Sequence, residues 1–335
     1  MGKAREDSYI FCSALMRAGE KTLLPMADLL KAAEAKDFQS AMAVIAEYGY
    51  GDGKPLANQR DFIKVLAAEE ERVYNFVFSA LPDREELEML KFPKDYHNAK
   101  AILKAEFLNL NPENYLTFGG KMDPQALVKM IKERNLVFLT SSMREAINRA
   151  IELFGKGQDP QEIDIVLDKA CYQDMLKVAE KLDNKFLLDY VKMQIDILNI
   201  STFVRLKEIG KQVDFFKKVF LEGGEIALGL FTAGYDDGYK QMAEKMVPYG
   251  YGPIFEKGAV AVKETGKYYI LEKICDDIRM KFIKDAKYVP FGIEPCAAFL
   301  LAKETELKNL RVILTGKIAG TDKQVIIERL RETYV

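Results

Sequence analysis

The sequence predicts an all-α fold built from three diverged copies of one helical unit, and three observations carry that reading. The first is a recurring acid-x-x-Asn: Asp95-Tyr96-His97-Asn98, Asp196-Ile197-Leu198-Asn199 and Glu306-Leu307-Lys308-Asn309, each followed by a mostly apolar stretch. The second is an aromatic-Gly-x-Gly upstream of each: Tyr48-Gly49-Tyr50-Gly51, Phe154-Gly155-Lys156-Gly157 and Tyr249-Gly250-Tyr251-Gly252. The asparagines lie 101 and 110 residues apart and the leading aromatics 106 and 95, a period too long for a solenoid repeat. The third is helical periodicity. Phe186, Tyr190, Met193, Ile197, Ile200 and Val204 step by three and four residues, which lines them along one helix face. The same stripe recurs as Cys296, Leu300, Lys303, Leu307, Leu310 and Leu314, and in part as Met89, Phe92, Tyr96, Ala99 and Leu103. Three helical repeats, 1–115, 116–215 and 216–335, are expected.

Taken along the chain, a first helix is expected over 38–48, closed by Gly49 and Gly51. Asp83-x-x-Glu86 reads as a capping box, and Pro93 sets the start or a kink of the first motif helix. Asp123-Pro124 and Asp159-Pro160 pair an N-cap with a proline at the first helical position. Ser142-x-x-Glu145, Asp159-x-x-Glu162 and Thr321-x-x-Gln324 mark further helix starts. A helix over 143–154 closes at Gly155 and Gly157. No proline falls between Pro160 and Pro248, which leaves room for long helices, the clearest over about 185–209. A helix from Tyr239 ends at Gly250 and Gly252 after disturbance by Pro248, and Pro295 opens another. All six glycines are expected as helix C-caps, where the left-handed conformation costs glycine nothing. Period-two alternation is confined to a short run at 260–262. Boundaries between copies are expected near 111–121 and 212–224.

Composition narrows the function. The chain has 335 residues, is 49% hydrophobic and 30% charged, and carries a net charge of −2 from 49 basic and 51 acidic residues. That is ample for a core, and the even balance excludes the basic stripe of a nucleic-acid binder. The four cysteines, Cys12, Cys171, Cys275 and Cys296, are scattered without CxxC or zinc-type spacing. They are expected as small apolar residues in a reducing interior. No uncharged apolar stretch is long enough to cross a bilayer.

Candidate chemistry is sparse. Gly2-Lys3, Gly53-Lys54, Gly120-Lys121, Gly155-Lys156, Gly210-Lys211, Gly266-Lys267 and Gly316-Lys317 all lack a following Ser or Thr, so no P-loop is present. The single histidine, His97, falls where the other copies carry Leu198 and Lys308, which argues for a tolerated position over a catalytic one. No catalytic residue, cofactor or metal ligand is expected. The acid and Asn of each motif share one helix face at i and i+3. They could bind a polar ligand, or could fasten a helix by accepting from and donating to its neighbours. A catalytic site is normally unique per chain, so the structural role is favoured for Asp95, Asn98, Asp196, Asn199, Glu306 and Asn309. The asparagines are then expected to be buried and bonded within their own repeats. The basic positions Lys100, Arg205 and Arg311 beside the motifs read equally as solvated charges or an interface rim.

The residues also resemble a known family. Tyr9, Arg17-Ala18-Gly19-Glu20, Leu23-Leu24 and Tyr48-Gly49-Tyr50-Gly51 are similar to the opening of the C subunit of the rotary V/A-type ATPases, called the d subunit in eukaryotes. Asp95-Tyr96-His97-Asn98-Ala99-Lys100 resembles its first motif helix. Glu294-Pro295, Leu300-Leu301-Ala302-Lys303-Glu304, Glu306, Asn309-Leu310-Arg311, Ile313-Leu314, Gly316-Lys317 and Gly320 resemble its C-terminal signature. The resemblance covers essentially the whole chain. It implies an all-helical funnel of three pseudo-repeats, coaxial with the rotor, and places Arg311 in the motif. It further implies a non-catalytic socket between the central-shaft subunits and the membrane proteolipid ring, peripheral to the membrane on its cytoplasmic side. A helical adaptor of another assembly stands second and a helical enzyme third. Copy two departs from the pattern with Ser201 where the others carry Lys100 and Arg311.

Overall fold

A computed structural model describes residues 6–51, 56 and 58–335. Gly2-Lys3 and Gly53-Lys54 lie outside the described residues. Every regular element among the described residues is helical. In chain order these are α1 (Ile10–Glu20), α2 (Met26–Glu34), α3 (Phe38–Ala46), α4 (Phe62–Ala80), α5 (Glu85–Glu88), α6 (Phe92–Phe107), α7 (Pro124–Lys132), α8 (Ser141–Gly157) and α9 (Pro160–Leu182). They continue with α10 (Lys185–Glu208), α11 (Val213–Val219), α12 (Leu228–Ala233), α13 (Tyr239–Met246), α14 (Val260–Thr265), α15 (Tyr269–Lys284), α16 (Ile293–Ile318) and α17 (Lys323–Glu328). A π-helical segment, Ile254–Ala259, runs directly into α14, so the run at 260–262 is helix.

The chain divides into two compact units. One joins residues 1–84 to 251–335, and the other is 85–250. In the first, both ends of the chain share a core. Leu24, Leu29, Phe38, Ile45, Tyr50 and Leu66 pack with Leu310, Ile313, Leu314, Ile326 and Leu330. Its axis is α16, 26 residues long and buried on most sides. Ala, Leu, Lys and Glu dominate that helix, all strong helix formers, and nearly all its apolar residues from Ile293 to Leu314 are buried against the surrounding helices. In the second unit the core of the α10 end is aromatic. Phe203 packs against Phe216, Phe231 and Tyr235 at 5.3–5.5 Å between ring centroids, the edge-on and tilted arrangements favoured by ring quadrupoles.

Helix starts follow local chemistry, with two shifts from expectation. Asp123 and Asp159 cap α7 and α9, accepting from Ala126 N and Gln161 N. The α8 cap is Thr140, not Ser142, and the α17 cap is Asp322, not Thr321. In each case a side-chain oxygen one or two residues away meets the free N–H groups first.

The glycine markers also divide. Gly49 and Gly51 are left-handed, with φ of +86° and +69°, and Gly250 caps the 3₁₀ turn after α13 at φ +80°. Gly155 and Gly157 are not caps. They lie inside α8, and Gln158 takes the left-handed position at φ +51°. Gly252 opens the helical segment that follows.

Candidate functional site: three backbone clamps

Each motif asparagine grips the backbone of one downstream residue with both ends of its amide. Asn98 Nδ2 donates to Thr117 O at 2.8 Å while its Oδ1 accepts from Thr117 N at 2.8 Å. Asn199 holds Leu221 in the same way at 2.8 and 2.9 Å. Asn309 holds Arg331 at 3.0 and 2.8 Å. All three side chains are buried. A side-chain amide presents a donor and an acceptor side by side at any pH, which matches the N–H and C=O of a single backbone residue.

The acid three residues earlier takes backbone donors from the same returning stretch of chain. Asp95 accepts from Lys121 N and Met122 N, both at 3.0 Å. Asp196 accepts from Glu225 N and Ile226 N at 3.1 and 3.0 Å. Close approach needs glycine here. A Cβ on Gly120 would stand 2.1 Å from Asp95 Oδ1, and one on Gly224 2.2 Å from Asp196 Oδ1. The preceding Gly119 and Gly223 are left-handed, with φ of +87° and +101°. Burial pushes the Asp95 carboxyl up to about 6, although the N–H groups of Met122 and Lys121 favour its charged form.

The third clamp draws its donor from the other end of the chain. Glu306 Oε2 accepts from Leu24 N at 2.6 Å, and Oε1 accepts from Tyr50 Oη at 2.5 Å. Leu24 precedes the N-cap residue of α2, just as Met122 and Ile226 precede those of α7 and α12. No Gly-Gly pair stands before Leu24, and the longer Glu spans the distance instead. Lys303, only 2% exposed, bridges Glu306 at 2.7 Å and Glu69 at 2.9 Å, with its ammonium 4.8 Å from the Tyr50 ring centroid. Burial pushes Glu69 up, but Arg72 and Lys303 outweigh it and hold the carboxyl below its usual range. Burial and the neighbouring Glu306 push the Tyr50 phenol up, which keeps it a donor.

Two further contacts recur in step. Eight residues after each Asn, a charged side chain ties down the far end of the helix whose start the acid holds. Glu106 pairs with Arg134 beyond α7 at 2.6 Å, Lys207 donates to Tyr235 O beyond α12 at 2.6 Å, and Lys317 donates to Ala35 O beyond α2 at 2.5 Å. From acid to anchor is eleven residues, about 16 Å along a helix, close to the length of a nine-residue helix such as α2 or α7. Eleven residues after each Asn, Asn109, Gly210 and Gly320 turn left-handed at φ +53°, +71° and +66°. The following amides then reach back, Leu110 N to Ala105 O, Lys211 N to Leu206 O and Thr321 N to Gly316 O, at 2.8–2.9 Å. This is the Schellman ending.

The sequence therefore identified Asp95, Asn98, Asp196, Asn199, Glu306 and Asn309 but misjudged what they hold. Asn309 stays bonded within its expected repeat, to Arg331, but the other bonds cross the expected boundaries. Thr117 and Leu221 lie beyond the boundaries at 115 and 215, and Leu24 lies at the opposite end of the chain. Arg311 is exposed and has no ion pair or hydrogen bond among the described residues, so it takes no part in the clamp. His97 Nε2 lies 3.3 Å from Tyr115 O at the surface. Lys303 and Tyr50 were missed as members of the site. The signal for Lys303 was present, since it alone breaks the apolar stripe of α16. Among the described residues no group of three His, Cys, Asp or Glu side chains is placed to hold a metal ion, and no helix is long and apolar enough to cross a membrane.

A helical scaffold with recurring internal clamps is the class that this geometry defines. The chain belongs to the ATP synthase (C/AC39) subunit family, whose model matches residues 12–329. Its members are accessory rather than catalytic subunits. The chain is 25% identical over 275 residues to the C subunit of the V-type sodium ATPase of Enterococcus hirae, covering 82% of this chain and 83% of that protein. It is 24% identical over 340 residues to the C subunit of the A-type ATP synthase of Pyrococcus abyssi, covering 97% and 90%. To the corresponding C subunit of the A-type ATP synthase of Methanocaldococcus jannaschii it is 22% identical over 345 residues, covering 95% and 85%.

Proposed function

We propose that this chain is the coupling element of a proton- or sodium-translocating rotary ATPase, a socket that joins the central-shaft subunits to the membrane proteolipid ring. The observation that carries this reading is the threefold recurrence of the clamp in a member of this family. A coupler needs no reaction centre but must resist twist, and close-packed helices transmit force with little compression. Clamps that fix both ends of a neighbouring helix to a long motif helix suit that load. On this reading the three copies stand as a funnel about the rotor axis, and the chain sits peripherally on the ring's cytoplasmic face.

Reassembly of the complex with and without the chain tests the proposal. Without it, the catalytic head should continue to hydrolyse ATP while ion pumping stops, and adding the chain back should restore pumping. Fully coupled pumping in its absence would overturn the proposal. So would failure of the purified chain to bind either shaft or ring, which would instead favour an adaptor of another assembly.

A further inference from the structure

The third clamp differs from the other two in how its grips are joined. At the first, Asn98 holds Thr117 and Asp95 holds Lys121 and Met122, and Phe118, Gly119 and Gly120 carry the backbone from one grip to the next. At the second, Glu222, Gly223 and Gly224 do the same between Leu221 and Glu225. At the third no such run exists, because Asn309 holds Arg331 while Glu306 holds Leu24 from the other end of the chain. A cavity of about 10 Å³ lies there. It is walled by the chain at Leu23 and Leu24, the chain at Thr333 and Tyr334, and α16 at Ala302 and Glu306.

That volume is about what one water needs. The walls also hold buried backbone groups without partners. Thr333 and Tyr334 are only 7% and 3% exposed, yet their N–H groups donate to no acceptor among the described residues. The carbonyls of the equally buried Leu23 and Leu24 accept from no donor among them. Buried main-chain groups are nearly always paired, with ordered water where protein does not reach. Glu306 has capacity left as well. Its Oε1 takes Tyr50 Oη and Lys303 Nζ, but its Oε2 takes only Leu24 N, and each carboxylate oxygen can accept two bonds. Asp95 and Asp196 each receive two backbone N–H groups, where Glu306 receives one.

We propose that this cavity is an internal water site that completes the third clamp. The water donates one hydrogen to Glu306 Oε2, taking the part that Lys121 N and Glu225 N play at the other clamps. It gives its second hydrogen to a carbonyl of the 23–24 stretch and accepts from an N–H of the 333–334 stretch. Three bonds are the usual number for a buried water, and a bridging water is nearly as favourable as a direct bond. The two distant segments are thereby tied to each other as well as to α16, the join that the main chain itself supplies at the first two clamps.

A high-resolution crystal structure of the full-length chain is the direct test. One ordered water should stand within about 3.2 Å of Glu306 Oε2, of the Thr333 or Tyr334 nitrogen and of the Leu23 or Leu24 carbonyl oxygen. A dry cavity, an ion in its place, or closure of the space by a side chain would each overturn the proposal. In solution, the Thr333 or Tyr334 amide should show a magnetisation-transfer cross-peak to water, of the sign that marks a long-lived and not a surface water. Absence of that peak from both amides would contradict the site. Ala302→Val adds methyl groups at the cavity wall and should erase the peak, while the Arg331 amide held by Asn309 keeps its protection from exchange. A peak that survives in this variant would come from water elsewhere and would overturn the assignment. If the variant does not fold, the crystal structure and the unaltered chain's spectrum decide the question.

Discussion

The clamps of residues 85–250 and the clamp of the other unit perform one task with different chemistry. Asp95 and Asp196 are short, face neutral backbone donors, and depend on Gly120 and Gly224 to let the chain come close. Glu306 is one methylene longer, has no glycine pair opposite it, and shares its charge with buried Lys303, Glu69 and Tyr50. The difference follows from connectivity. At the first two clamps the held backbone lies 19–30 residues after the side chains that hold it, so a local turn delivers the amides. In the third it comes from residue 24, and cooperation between distant segments is secured by a buried ionic network. Such networks are costly to break because removing one member strands the rest.

The largest effect should come from breaking that network. Lys303→Met leaves Glu69 and Glu306 buried without the cation that bridges them, which should cost about 3–5 kcal/mol in denaturant unfolding. Next is the opposite pH dependence of the two regions. Asp95 has a native value near 6 against an ordinary 3.8. The native state therefore binds more protons between those values, and stability of this region falls as pH rises from about 4 to about 6, then levels. The scale is on the order of 3 kcal/mol. Glu69 and Asp276 lie in the other unit and are held low, the latter by Lys308, Arg279 and Arg331 against the opposing effect of burial. Their contribution is present above the ordinary carboxylate range and is lost as pH falls through their depressed values. Segment-resolved hydrogen exchange at several pH values should show the two trends run in opposite directions, and parallel trends would dissolve the contrast.

Asn199→Leu should cost about 1–3 kcal/mol by stranding the buried Leu221 N–H and C=O. Asn98→Leu should cost less, because Thr117 is exposed and water can take over its freed backbone groups. Thermal melts of the pair would sharpen the comparison. The smallest effect is expected at the helix endings. Gly210→Ala places a Cβ at φ +71° and should cost about 1 kcal/mol, measurable as a shift in the urea midpoint.

Local determinants were legible in the sequence and long-range ones were not. The acid-x-x-Asn spacing, the apolar stripe from Phe186 to Val204 and the Asp-Pro starts of α7 and α9 are all set within a few residues, and each reads directly. The endings at Asn109, Gly210 and Gly320 were equally local, eleven residues after each Asn, but the upstream aromatic-Gly-x-Gly drew the cap assignment away from them. Gly155 and Gly157 show why: glycine permits a left-handed turn without requiring one, and α8 continues through both. The partners of Asp95 and Asp196 lie 26–30 residues away, that of Glu306 lies at the far end of the chain, and no periodicity reports such pairs.

The central claim is that the third clamp is closed by the N-terminal segment, with Leu24 standing where Met122 and Ile226 stand in the other two. Native-state hydrogen exchange of the Leu24 amide tests it most directly. The account predicts protection comparable to that of the Met122 and Ile226 amides, lost selectively at Leu24 when Glu306 is replaced by Ala. Exchange of Leu24 at the rate of a solvent-exposed amide in the intact protein would contradict it.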